Sequence, residues 1–145
     1  MATVELRFSA LPEHVRTARL VAAAVARRAG VDEAVLDEVR LAVGEACTRA
    51  VGLHQSSGIS APVRVSLIEE EKQFSIEVGD EAPRSVPGER AGGAAGDDGE
   101  VDAEEDEMGL AVISGLVDDV EVSAGEHGGL IRMTWPTTPP TVVLA

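Results

Sequence analysis

Aromatic side chains are nearly absent: the chain has two Phe, one Trp and no Tyr, 2% of its 145 residues. Hydrophobic residues still make up 44%, so a core is possible, but it has to be built from Val, Leu, Ile and Ala. Cysteine occurs once, at Cys47, which excludes an internal disulfide framework and matches a reducing compartment. Bases are scarce, with 12 Lys and Arg against 26 Asp and Glu, a formal net charge of −14. Such a surface repels the phosphates of nucleic acid and the face of an anionic membrane alike. No apolar run approaches the roughly 20 residues that span a bilayer. The opening MATVELRFS lacks the basic-then-apolar layout of a signal peptide. The length suits one compact domain. A soluble, cytoplasmic protein without direct nucleic-acid or membrane contact is expected.

The elements follow from apolar spacing. Val4, Leu6 and Phe8 alternate with polar residues, the period of a strand. Pro12 suits a first helical turn, and Val15, Ala18, Val21, Ala22 and Val25 give an amphipathic helix from Glu13 to Ala29, stopped by Gly30. Asp32 is placed to cap a second helix running to about His54, with Val35, Leu36, Val39, Ala42, Val43, Ala46 and Ala50 on its apolar face. Val63, Val65 and Leu67, then Phe74, Ile76 and Val78, read as a hairpin turning at Glu69–Lys72. Between Asp97 and Glu107, eight of eleven residues are acidic and none is basic. The segment 81–107 is therefore expected to be a mobile or disordered acidic lid. A short helix around Leu110–Val117 follows, then strands at Val120–Val122 and Leu130–Trp135 with a turn at His127–Gly129. Residues 137–145 form a loose Pro-rich tail. The order β-α-α-β-β-loop-α-β-β predicts an α/β two-layer sandwich over residues 1–136, with helices on one face of a mixed or antiparallel sheet.

Three pieces in this order carry a resemblance. They are E-A-C-T-R-A-V (Glu45–Val51), S-I-E-V-G-D (Ser75–Asp80) and M-G-L-A-V-I-S-G-L-V-D-D-V (Met108–Val120). Together with F-S-A-L (Phe8–Leu11) and Ala18–Arg19, they resemble the anti-sigma-factor serine kinases of the GHKL, or Bergerat-fold, ATPase group. The resemblance implies a base at Glu45, an adenine-reading aspartate at Asp80, and nucleotide contacts at Gly109 and Leu110. It also implies that Arg19 on the first helix contacts a sigma factor and its competing antagonist. An arginine is apt there because its planar fork binds a carboxylate through two hydrogen bonds. The plainer alternative is an ordinary solvated arginine.

The pocket departs from the family pattern. Arg49 stands where the family keeps its Mg²⁺-binding asparagine, and a guanidinium has no acceptor with which to ligate a metal. The family's D-x-G-x-G reads D-E-A-P-R here, so Ala82 adds a methyl, and Glu107 replaces the first glycine of G-x-G-L. A carboxylate about 4 Å from a phosphate would cost on the order of 4 kcal/mol at an effective dielectric near 20. Arg49 either fills the metal position and pairs with Glu45, or makes an i,i+4 surface bridge contributing roughly 0.3–0.5 kcal/mol. The acid run lacks calcium-loop spacing, the histidines His14, His54 and His127 are scattered without ligand spacing, and Cys47 reads as packed. The expectation is an anti-sigma factor that sequesters a sigma factor and is displaced by a STAS-type antagonist. By resemblance it works as a homodimer. Mg–ATP binding and kinase activity are expected to be lost, so no cofactor is implied. The alternative is an active serine kinase that uses ATP and Mg²⁺ to phosphorylate that antagonist.

Overall fold

A computed structural model describes residues 2–83 and 109–137. In chain order the elements are β1 (Ala2–Phe8), a 3-10 turn (Pro12–His14), α1 (Val15–Ala29), a second 3-10 turn (Glu33–Val35), α2 (Leu36–Ser56), β2 (Val63–Glu69) and β3 (Gln73–Asp80). Then come α3 (109–116), β4 (Asp119–Gly125) and β5 (Gly128–Pro136). The five strands form one sheet in the order β1-β2-β3-β5-β4. Every neighbouring pair is antiparallel, which settles the mixed-or-antiparallel alternative.

The helix ends follow the capping residues. Gly30 adopts φ 100°, and the N–H of Val31 reaches back to the Ala26 carbonyl at 3.0 Å. That pairing closes α1 with a left-handed residue that glycine adopts without a Cβ penalty. Asp32 accepts the N–H of Ala34 at 3.0 Å, capping the 3-10 turn that leads into α2. Helix α2 runs two residues beyond His54 and closes the same way as α1, with Gly58 at φ 66° and Ile59 N–H on the His54 carbonyl at 2.8 Å.

One sheet face is covered by helices, and among the described residues no helix packs on the other. The register brings Val4, Leu67, Ile76, Met133 and Val120 into one row, and Leu6, Val65, Val78, Ile131 and Val122 into the next. Apart from Val122, 48% exposed on the edge strand, these positions pack in the core, to which the helices contribute Ala18, Ala22, Val39, Val43, Ala46, Cys47 and Ile113. Small alanines let the helices sit close, so few aromatics are needed to fill the space. The opposite face carries Glu5, Ser66, Glu77, Arg132 and Glu121 in one register row. There Arg132 lies 3.4 Å from Glu70 and 3.6 Å from Glu77.

The last hairpin turns at Glu126–His127, between the paired Gly125 and Gly128, rather than at His127–Gly129. Glycines at both ends permit the tighter connection. Residues 81–83 belong to the ordered structure, with Ala82 1% exposed. The rest of the expected lid, Glu107 with it, and the tail beyond Thr137 lie outside the described residues. Among the described residues, no helix is long and apolar enough to cross a membrane.

Candidate functional site

Helices α1 and α2 pack side by side and leave a groove of about 500 Å³ on their outer side. Pro12, Val15 and Leu41 supply its apolar lining, and Glu13, Arg16, Arg19, Glu45 and Thr48 its polar lining. Leu41 is 55% exposed, large for an aliphatic residue on a helix. Helix α1 bears four arginines and no acid. Arg27 pairs with Glu33, and Arg28 pairs with Glu69 at 2.9 Å. Arg16 and Arg19 make no ion pair among the described residues, so the groove presents two uncommitted cations on a strongly acidic protein. Arg19 and Glu45, predicted as a partner contact and a base, thus share one groove.

The Arg19 side chain lies across Gly44: a Cβ at that glycine would sit 2.8 Å from Arg19 Cδ. Arg19 also acts on Cys47 one turn further along. Burial pushes the Cys47 thiol up to about 12, and the Arg19 charge pulls weakly the other way. Cys47 is 0% exposed, a packed residue as expected and not a nucleophile.

Arg49 lies one turn beyond Glu45, half-buried, with its Nε shielded from solvent. The ion pairs between described residues do not include Glu45–Arg49, so the expected pairing of this cation with Glu45 does not form. Shielding of Nε also sets it apart from a fully exposed surface bridge. The donor-only chemistry of Arg49 does not fit a Mg²⁺ ligand, and the chain contains no asparagine at any position.

Asp80 ends β3 and is 3% exposed. Its Oδ1 accepts the N–H of Ala82 at 3.0 Å, an Asx turn that shapes the strand exit. A second tie in this region is one the sequence did not reveal. His54, 0% exposed, receives the N–H of Glu81 on Nε2 at 2.8 Å. A backbone N–H only donates, so the ring proton belongs on Nδ1, which lies 2.9 Å from the Ala61 carbonyl. One neutral imidazole thereby links the end of α2, the 57–62 connection and the residue after Asp80. Its signal in the sequence was only a histidine at the close of an apolar helix face. Gly128 closes the same corner: at φ 126°, a Cβ there would meet the Asp80 carbonyl at 2.0 Å. Along α2, His54 lies nine residues beyond Glu45, about 13 Å at 1.5 Å per residue. Gly109 and Leu110 lie in the first described turn of α3 and are half-buried, with Leu110 against the core.

Comparison with known proteins decides the family. The model of the histidine kinase-like ATPase domain matches residues 8–135. The chain belongs to the histidine kinase-like ATPase family. Within it, the chain is 27% identical over 135 residues to the serine-protein kinase RsbW of Oceanobacillus iheyensis, covering 90% of this chain and 84% of that protein. The fold also matches the crystal structure of the RsbU and RsbW domains of Rv1364c from Mycobacterium tuberculosis. That match has a TM-score of 0.66 at 16% identity, covering 96% of this chain and 34% of the other. The present chain thus spans about a third of that longer protein. The Bergerat-type fold expected from the sequence motifs is found, and the resemblance to the serine kinases of that group is matched by the likeness to RsbW.

Proposed function

We propose that this histidine kinase-like ATPase domain is an anti-sigma factor that holds a sigma factor and releases it when a STAS-type antagonist competes for overlapping ground. The observation that carries the reading is the α1–α2 groove, where Arg16 and Arg19 make no ion pair among the described residues and stand beside the exposed Leu41, with Glu13 and Glu45 on the same lining. Groups of this kind, left uncommitted in a chain of net charge −14, are suited to carboxylates and apolar side chains of another protein. The likeness to RsbW supports the class of partner. Release then rests on differential affinity, since a partner can shift an equilibrium only by the difference in its binding to the two states. A homodimer in the cytoplasm belongs to the same reading.

The Mg–ATP chemistry of the fold is lost in this proposal. The position that the resemblance gives to a metal-binding amide holds Arg49, which has no acceptor atom. No step is assigned to nucleotide or metal. The second reading, an active serine kinase acting on the STAS antagonist, is favoured by Glu45 lining the groove and by the name of the curated relative.

Two measurements separate these readings. A pull-down with the tagged chain, repeated with Arg19→Ala, returns a sigma factor on the native protein and loses it on the variant. Calorimetric titration with Mg–ATP gives no metal-dependent heat. Micromolar Mg–ATP binding together with phosphate transfer to a STAS serine would establish the kinase instead.

A further inference from the structure

Helix α2 carries two interior glycines, Gly44 and Gly52, each a weak helix former. Their surroundings differ. A Cβ on Gly52 would meet nothing within 4 Å, whereas one on Gly44 would press on Arg19 at Cδ 2.8 Å, Cγ 3.5 Å and Nε 3.7 Å. Gly44 also lines the α1–α2 groove beside Arg19 and Glu45. Without a side chain at 44, the aliphatic stem of Arg19 lies flat on the α2 backbone, and the guanidinium is carried into the groove.

We infer that Gly44 is a positioning residue for partner recognition: its missing side chain is the seat that fixes the direction of the Arg19 guanidinium. This rests on the partner-binding reading of Arg19 given above. The stem of an arginine is long and rotatable, so a methyl at 44 displaces Arg19 rather than forcing the helices apart. The seat accordingly opposes stability. Filling it improves the helix and spoils the recognition geometry, whereas a residue with a purely structural role moves both in the same direction.

The test compares Gly44→Ala, Gly52→Ala, Arg19→Ala and Gly44→Ala/Arg19→Ala in the full chain. Thermal melts give stability, the ¹⁵N resonance of Arg19 Nε gives the side-chain position, and calorimetric titration with each purified sigma factor of the source organism gives affinity. Both glycine variants should melt about 2–5 °C higher. Only Gly44→Ala should move the Arg19 resonance and weaken the bound sigma factor, by about tenfold, approaching the effect of losing one charge-assisted hydrogen bond. In the Arg19→Ala background, Gly44→Ala should change affinity no further. If Arg19→Ala weakens binding but Gly44→Ala binds like Gly52→Ala, the seat is refuted and the partner reading stands. If no sigma factor binds the native chain, or Arg19→Ala binds like it, both fall together.

Discussion

The buried ring of His54 accepts the backbone N–H of Glu81 at 2.8 Å, joining the last turn of α2 to the strand end that carries Asp80. With Nδ1 at 2.9 Å from the Ala61 carbonyl, both ring nitrogens are used. Replacing His54 by Phe keeps an apolar ring of similar size but takes the partner from a part-buried N–H and a part-buried carbonyl. The expected loss is about 2–3 kcal/mol of unfolding free energy, measured by urea denaturation. A His54→Phe chain within about 0.5 kcal/mol of the native one would show that the corner needs no imidazole.

Gly128 and Gly58 both have positive φ, yet the two sites should respond differently to alanine. At Gly58, with φ 66° and open space around it, only the left-handed backbone opposes the methyl, at about 1–2 kcal/mol. At Gly128 the methyl also meets the Asp80 carbonyl at 2.0 Å, so the β4–β5 turn has to shift. We expect Gly128→Ala to cost at least about 3 kcal/mol, read from denaturation midpoints at matched slopes. Equal costs at both glycines would contradict the close approach.

Stability should fall at high pH through Cys47. Burial raises its thiol from 9.0 to about 12 in the folded chain. Both states hold the proton below pH 9, so the contribution is complete there. Between about pH 9 and 12 the unfolded thiol ionises while the folded one stays protonated, and stability drops by roughly 1 kcal/mol per pH unit. Cys47→Ala should show a shallower decline over that window, read from denaturation curves at successive pH values. Identical slopes would place the alkaline loss elsewhere. At pH 8, alkylation of native Cys47 should be slow and should become fast only on unfolding.

Leu41 gives a functional contrast to the core. At 55% exposure it buries little on folding, so Leu41→Ala should leave the melting temperature within a degree or two. The same change removes an apolar wall of the groove and should weaken the bound sigma factor by about fivefold or more, measured by calorimetry. A truncation that lowers stability but not affinity would make Leu41 part of the scaffold.

Much of the fold was written locally. Alternation in Val4–Phe8 and Phe74–Val78 and the Gly30 stop are properties of neighbouring residues and appear as expected; Asp32 caps, but the 3-10 turn ahead of α2 rather than α2 itself. That Arg49 cannot ligate a metal was legible too, because a guanidinium has no acceptor atom whatever its surroundings. Its pairing with Glu45 was not, since i,i+4 spacing on a helix permits a contact without selecting it.

The sequence by itself determined the elements, the aliphatic core and the acidic surface, because periodicity, caps and charge act over a few residues. Only the tertiary structure decided that Arg19 rests on Gly44, that Glu45 shares its groove, and that His54 secures Glu81. These residues are remote along the chain. Their meeting depends on how two helices pack on one sheet face, a choice set by the whole core together.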